Sequence, residues 1–327
     1  MKAVHINQFG GPENLEIRDV PDPPKPKGSA VLVRVRAAGL NRADLLQRKG
    51  LYPAPEGYST KIPGLEFAGQ ILEVGDQVGS WEPGDRVMAI TAGEAQAELV
   101  SVDESLLMSI PERLSYTDAA AIPEAFITAH DAIFTLGELK AGQTLLIHAV
   151  ASGVGIAAMQ MAKQAVATVI GTSRTAEKLA RCRELGLDHD IVPGGPRFAE
   201  ELRSITDGQG ADVILDLVGA SYFSENLASL AIKGRLILVG LTGGSSAEFD
   251  LRTALQKRAR IIGTVLRGRS IEEKAEATRN FVEHSMTHIE SGSITPVVDK
   301  VFAAADVRAA HEYLESDLSF GKVVLEF

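Results

Sequence analysis

The sequence predicts an α/β protein: a β-rich N-terminal domain and a doubly wound parallel six-stranded Rossmann domain. Three observations predict it. The apolar run Thr144-Leu-Leu-Ile-His148-Ala149 ends in the small-residue turn Val150-Ala-Ser152-Gly153-Val154-Gly155, and an apolar helix-forming segment follows through Met159, Met161 and Ala162. Gly153, Gly155 and Ala158 keep the G-x-G-x-x-G/A spacing, which lets a backbone approach a pyrophosphate and aims a helix N-terminus at it. Strand and helix candidates alternate through the middle of the chain, whereas the first third reads as short strands between Gly, Pro and Asp punctuation.

In chain order, the first strand candidates are Ala3–Ile6, Leu15–Val20, Val31–Val35, Gln70–Val74, Arg86–Ile90 and Ala95–Val100. The alternation at Val33-Arg34-Val35-Arg36 suits a half-buried strand. One helix, from Asn41 to about Arg48, interrupts them. The middle offers strands Thr144–Ala149, Thr168–Ser173, Asp190–Val192, Val213–Val218, Arg235–Gly240 and Arg260–Val265. Between them lie helices Ile156–Ala165, Thr175–Leu185, Phe198–Thr206, Tyr222–Ala231 and Leu251–Arg258. Continuous apolar runs such as Leu236-Ile-Leu-Val239 suit parallel strands buried on both faces. The tail reads as a long helix from Ile271 to about Glu290, a short one over Asp306–Leu314 and the strand Lys322–Phe327. The expected domains are 1–122 with 267–327, and 123–266.

Composition narrows the function. Hydrophobic residues at 45% and charged residues at 23% describe a globular protein, and the net charge of −10 opposes a sequence-independent nucleic-acid binder or an anionic membrane surface as partner. The lone Cys182 rules out intrachain disulfides and a multi-thiolate zinc site. No apolar run approaches a membrane span, and the N-terminus lacks signal-peptide character, so a cytoplasmic location is expected. His148 reads as a packing residue.

The turn at Ser152, Gly153, Val154 and Gly155 points to a dinucleotide. NAD-preferring domains usually end the second strand with a carboxylate for the ribose hydroxyls. Here that strand ends Gly171-Thr-Ser173-Arg174, followed by Lys178. A hydroxyl and a guanidinium suit a 2′-phosphate, which favours NADPH. Gly219 and the pair Gly240-Leu241 close predicted strands at their carboxyl ends, where ligands bind in open α/β sheets.

Several motifs now combine: Ala38-Gly-Leu-Asn41-Arg42-Ala-Asp44, Gly64-Leu65-Glu66-Phe-Ala-Gly69, Pro83-Gly-Asp-Arg-Val87, Ala121-Ile-Pro-Glu124-Ala125, Ser152-Gly-Val-Gly155 and Gly321-Lys322-Val-Val324. Over essentially its whole length the chain resembles the zinc-free quinone oxidoreductase branch of the medium-chain dehydrogenase/reductase superfamily, closest to its p53-inducible type. The resemblance implies a GroES-like N-terminal domain completed by the tail, and NADPH bound between the domains. It places Asn41, Arg42 and Tyr52 near the nicotinamide, with Thr128 contacting that ring and Lys322 approaching cofactor phosphates; Val265 and Leu266, which end the sixth predicted strand, are expected at the nicotinamide or its carboxamide. Asn41 is also a natural helix N-cap. The zinc-dependent relatives carry Cys and His where this chain has Asn41 and Leu65, so metal-free reduction is expected. Tyr52 has two readings: a donor to a developing enolate or hydroquinone oxygen, or an anchor that packs its loop against the domain. The resemblance also implies a homodimer joined through the Arg260–Val265 strand.

The leading expectation is an NADPH:quinone reductase acting on a small-molecule quinone or other electron-poor enone. A 2-enoyl thioester reductase and a low-turnover NADPH-binding redox sensor are the alternatives.

Overall fold

The structure is a computed structural model that describes residues 1–195 and 197–327. They form two compact units, Met1–Ile127 with Leu266–Phe327, and Thr128–Val265. The chain begins with β1 (Lys2–Ile6), β2 (Leu15–Asp19), β3 (Ala30–Leu40), α1 (Arg42–Arg48), β4 (Glu66–Val74), β5 (Arg86–Ile90), β6 (Leu99–Asp103), β7 (Leu107–Ser109), α2 (Tyr116–Ala119) and α3 (Pro123–His130). The second unit follows with β8 (Thr144–Ile147), α4 (Gly153–Gln164), β9 (Thr168–Thr172), α5 (Ala176–Glu184), β10 (His189–Ile191), α6 (Ala199–Ile205), β11 (Ala211–Asp216), α7 (Phe223–Ser229), β12 (Leu230–Leu238), α8 (Leu251–Lys257) and β13 (Arg260–Gly263). The tail adds α9 (Ile271–Ser291), β14 (Val298–Ala303), α10 (Val307–Glu315) and β15 (Lys322–Glu326).

Among the described residues, the first unit is organised by a seven-stranded sheet in the order β14-β15-β3-β4-β5-β7, with β6 also paired to β3. Its core gathers Val31, Val33, Val35, Phe67, Ile71, Val87 and Val100. The terminal strand β15 pairs antiparallel with the end of β3, Val323 opposite Leu40 and Val324 opposite Gly39. This pairing carries the tail back into the first unit and sets Lys322 beside the β3–α1 junction.

The second unit is an all-parallel sheet ordered β10-β9-β8-β11-β12-β13 among the described residues. Counting β8 as the first strand, this is the 3-2-1-4-5-6 order of doubly wound dinucleotide folds. Leu146, Ile170, Ile191, Ile214 and Leu236 from five strands pack with Phe198, Leu202 and Leu227. No helix among the described residues is long and apolar enough to cross a membrane.

The structure departs from the sequence-based elements where small residues or tertiary pairing decide. β3 runs on to Leu40 because Ala37–Leu40 are claimed by β15. The strand expected over Ala95–Val100 begins only at Leu99; Gln96 instead donates its N–H to Pro63 O, and Ala97 makes an isolated bridge to Ala3. The expected Arg260–Val265 strand stops at Gly263, so Val265 and Leu266 lie in the exit from the sheet. β14, a polar-interrupted Val298-Asp-Lys-Val-Phe-Ala, has little alternation to betray it and forms on the edge of β15. The units part at Ile127/Thr128, inside α3, instead of at Pro123.

Candidate functional site

In the second unit the turn between β8 and α4 is tightly built. Ala149 takes a left-handed backbone, φ 49°, and Ser152 caps α4 by accepting the Gly155 N–H on its Oγ at 3.1 Å. Gly153 and Val154 present first-turn N–H groups with no intrahelical acceptor, and that turn contains no acid. A Cβ on Gly155 would lie 2.6 Å from the carbonyl oxygens of Ala149 and Val150, so only glycine lets helix and strand close this far.

Below the turn, a buried polar chain ties three strand ends together. His148 Nδ1 meets Thr172 Oγ1 at 3.0 Å and its Nε2 meets Asn226 Oδ1 at 2.6 Å. The Asn226 amide donates to Asp216 Oδ2 at 3.0 Å, and Asp216 Oδ1 accepts the N–H groups of Val218 and Gly219. Burial lowers the imidazole to about 4, so His148 is neutral at physiological pH, and raises Asp216 to about 6. His148 also packs edge-on against Phe198 and Tyr222. Its role is structural: it fixes β8, β9 and β11 at their carboxyl ends.

Ser173 and Arg174 follow β9, Ser173 half-buried and Arg174 exposed, with Lys178 half-buried in the first turn of α5. Arg174 lies within electrostatic reach of Tyr222. Gly219, at φ 87°, opens a loop that is joined to the Gly240–Gly244 loop by Gly243 N–H to Val218 O at 2.7 Å and Ala220 N–H to Gly244 O at 3.0 Å. Leu241 and Val265 are exposed. Thr128 is half-buried on α3.

The first unit holds a different cluster. Lys322 is buried, and its ammonium donates to Leu40 O at 2.8 Å, Asn41 Oδ1 at 2.7 Å and Glu66 Oε1 at 2.5 Å. All three ammonium protons are thereby engaged within the first unit. Asn41 sits at the N-cap of α1, where its N–H donates to Asp44 Oδ2 at 2.8 Å, while its side-chain amide donates to Glu66 Oε1 at 2.8 Å. Glu66 accepts the Glu124 N–H on its other oxygen at 2.8 Å. Gly39 makes room for this carboxylate: a Cβ there would lie 2.4 Å from Glu66 Oε1.

Asp44 is fully buried and accepts the N–H groups of Asn41 and Gly64; burial nevertheless pushes its carboxyl up to about 6. Tyr52 is half-buried, its phenol raised by burial, and is held through its backbone. Arg267 does the holding. Its buried guanidinium donates to Ala92 O at 2.7 Å, Tyr52 O at 3.1 Å and Gln47 Oε1 at 2.5 Å, and lies 5.1 Å from the centre of the Tyr52 ring. Leu266, expected at the nicotinamide, is buried in this unit.

The structure thus brings Asn41 and Lys322 together around Glu66, and Tyr52 against Arg267. Sequence reasoning gave no role to Glu66, Glu124 or Arg267. The first two lay inside noted motifs; Arg267 carried no signal, because its partners are 175 to 220 residues away.

The donors at this place do not fit a zinc ion. Leu65 has no ligand atom, Asn41 offers an amide already hydrogen-bonded, and both Glu66 oxygens are occupied. Among the described residues no three His, Cys, Asp or Glu side chains gather as a ligand set.

Two family models match the chain: an alcohol dehydrogenase GroES-like domain over residues 27–128 and a zinc-binding dehydrogenase over 153–283. A quinone oxidoreductase of Pseudomonas aeruginosa is 33% identical over 325 residues, covering 99% of both chains. Among solved structures, a quinone oxidoreductase of Pseudomonas syringae superposes with a TM-score of 0.89 at 30% identity over 100% of this chain and 99% of that one. A mycobacterial protein solved in complex with NADPH superposes at 0.88 with 31% identity over the whole of both chains.

Proposed function

The chain belongs to the medium-chain dehydrogenase/reductase superfamily, and from that membership we propose that it is a zinc-independent NADPH:quinone oxidoreductase acting on quinones or other electron-poor enones. The observation that carries the reading is the β8–α4 turn. Its glycine-dependent closure, free first-turn N–H groups and absence of acid suit a pyrophosphate. Gly153, Val154 and Gly155 would hold that group; Ser173, Arg174 and Lys178 would take the 2′-phosphate, with no carboxylate at the β9 end to repel it. The strand-end loops at Gly219 and Gly240 would form the cofactor wall, and Thr128 and Val265 would meet the nicotinamide end. The bound dinucleotide supplies hydride.

The protein's own contribution is placement. Arg267 fixes the Tyr52 loop, so the phenol is held where it can donate to an acceptor oxygen. Lys322 neutralises Glu66 and orients the Asn41 amide, which leaves the first unit's cluster organised without a metal. We extend the proposal to a homodimer joined edge to edge along β13, the terminal strand of its sheet, where Ile261 is exposed.

The test is steady-state oxidation of NADPH and NADH with 1,4-benzoquinone and 9,10-phenanthrenequinone, with and without a chelator, and with a crotonyl thioester as competing acceptor. NADPH-preferring, chelator-insensitive quinone turnover is expected. Faster thioester turnover, or loss of activity on chelation, would replace the reading.

A further inference from the structure

Three buried or half-buried carboxyls meet in the first unit: Asp44 from α1, Glu66 from β4 and Glu124 from α3. Two have their oxygens fully engaged. Asp44 accepts two backbone N–H groups, and Glu66 accepts from Lys322, Asn41 and the Glu124 N–H. The Glu124 carboxyl makes no hydrogen bond among the described residues and is only half-buried. Within α3 the other residues are buried except Thr128. Residues four apart share a helix face, so Glu124 and Thr128 open the same side of α3.

We propose that Glu124 is the proton donor of the reduction, delivering its carboxylic proton to the acceptor oxygen from the same helix face that carries Thr128. The proposal rests on the reading of the chain as a quinone reductase. A quinone becomes a hydroquinone by gaining one hydride and one proton. The reduced nicotinamide supplies the hydride and its two electrons. The Glu124 O–H bond breaks and leaves its electron pair on the carboxylate; an O–H bond forms on the acceptor; solvent returns a proton to Glu124 before the next turnover.

The surroundings keep Glu124 protonated when it is needed. Withdrawal from water, then the adjacent Glu66 carboxylate, raise its carboxyl to about 8, and Asp44 adds to the effect. The cations facing it act the other way without reversing the shift: Lys322, paired with Glu66, and Arg267, which donates to three carbonyl oxygens, both lower it, and Lys274 of α9, which donates to Arg269 O, also faces it. An acid with a pKa near the working pH transfers a proton efficiently. Tyr52, whose phenol is raised above its ordinary value by burial and by Glu124, is the weaker donor at neutral pH. Tyr52 then orients the acceptor, and Glu124 protonates it.

Two measurements on the full-length protein test this. Infrared difference titration of wild type against Glu124→Gln should show a protonated-carboxyl band that disappears with a midpoint near pH 8 and is missing in the variant. Pre-steady-state quinone reduction should be slowed about a hundredfold in Glu124→Gln near neutrality, its alkaline decline abolished, while Glu124→Asp recovers part of the rate and the decline. NADPH fluorescence titration and a melting curve establish that each variant is folded and loaded. A carboxyl titrating in the ordinary acidic range overturns the proposal whatever the kinetics give. So does a Glu124→Gln enzyme with the wild-type rate and pH profile. If wild type reduces no quinone at all, it is the functional reading that falls, and this proposal with it.

Discussion

Each unit buries a polar cluster at the ends of its strands, and the two clusters are chemically unlike. In the second unit His148, Asn226, Thr172 and Asp216 form a chain in which nearly every donor meets an acceptor and the imidazole is neutral. In the first, Asp44, Glu66 and Glu124 face Lys322 and Arg267, and the Glu124 carboxyl makes no hydrogen bond among the described residues. A satisfied neutral network fixes geometry. A charged cluster with an unsatisfied acid holds a proton that it can release. The first arrangement is what a cofactor cradle needs, and the second is what chemistry needs.

Mutations can break the contrast. The largest expected effect is at the buried ion pair: Glu66→Ala leaves the Lys322 ammonium uncompensated and should cost about 3–5 kcal/mol in denaturant unfolding. Arg174→Ala should weaken NADPH about ten- to a hundredfold by fluorescence titration, through loss of a charge-assisted hydrogen bond, while NADH binding is unchanged. An equal loss for both coenzymes would move the 2′-phosphate site elsewhere. Asn226→Ala should cost about 1–3 kcal/mol by leaving His148 and Asp216 short of a partner. Its kinetic signature should be a raised KM for NADPH with little change in kcat for the quinone, because the network it breaks supports the cradle and not the acid.

The smallest effect sharpens the comparison through pH. Glu124 titrates higher in the folded protein, at about 8, than in the unfolded chain, so the folded state binds the extra proton. Its stabilising contribution is complete below the ordinary glutamate range and is lost as pH rises to about 8. His148 runs oppositely: lowered to about 4, it contributes above the ordinary imidazole value and loses that contribution as pH falls through about 4. Melting temperatures of Glu124→Gln should therefore fall less steeply than wild type between mildly acidic and mildly alkaline pH. Equal slopes would show that this carboxyl ionises normally.

Much of the second unit is legible in the chain because its strands are buried on both faces and read as unbroken apolar runs, as at Leu145-Leu-Ile147. The glycine turn is legible for a local reason too: its spacing is a property of consecutive residues. The first unit is harder. Ala37–Leu40 look like no strand until β15 arrives beside them, and nothing local to Lys322 shows that the same pairing buries it against Glu66, 256 residues away. Arg267 is as opaque, since Ala92, Tyr52 and Gln47 come to it only through folding.

The sequence by itself determined the alternation of strands and helices, the glycine bend at Gly153–Gly155 and the missing carboxylate after β9, because each depends on near neighbours along the chain. Only the tertiary structure decided which charges are paired. The protonation of a buried carboxyl is set by the water it loses and the charges that fold against it. Asp44, Glu66 and Glu124 are three ordinary acids in the sequence; the fold engages two of them fully and leaves the third able to hold a proton.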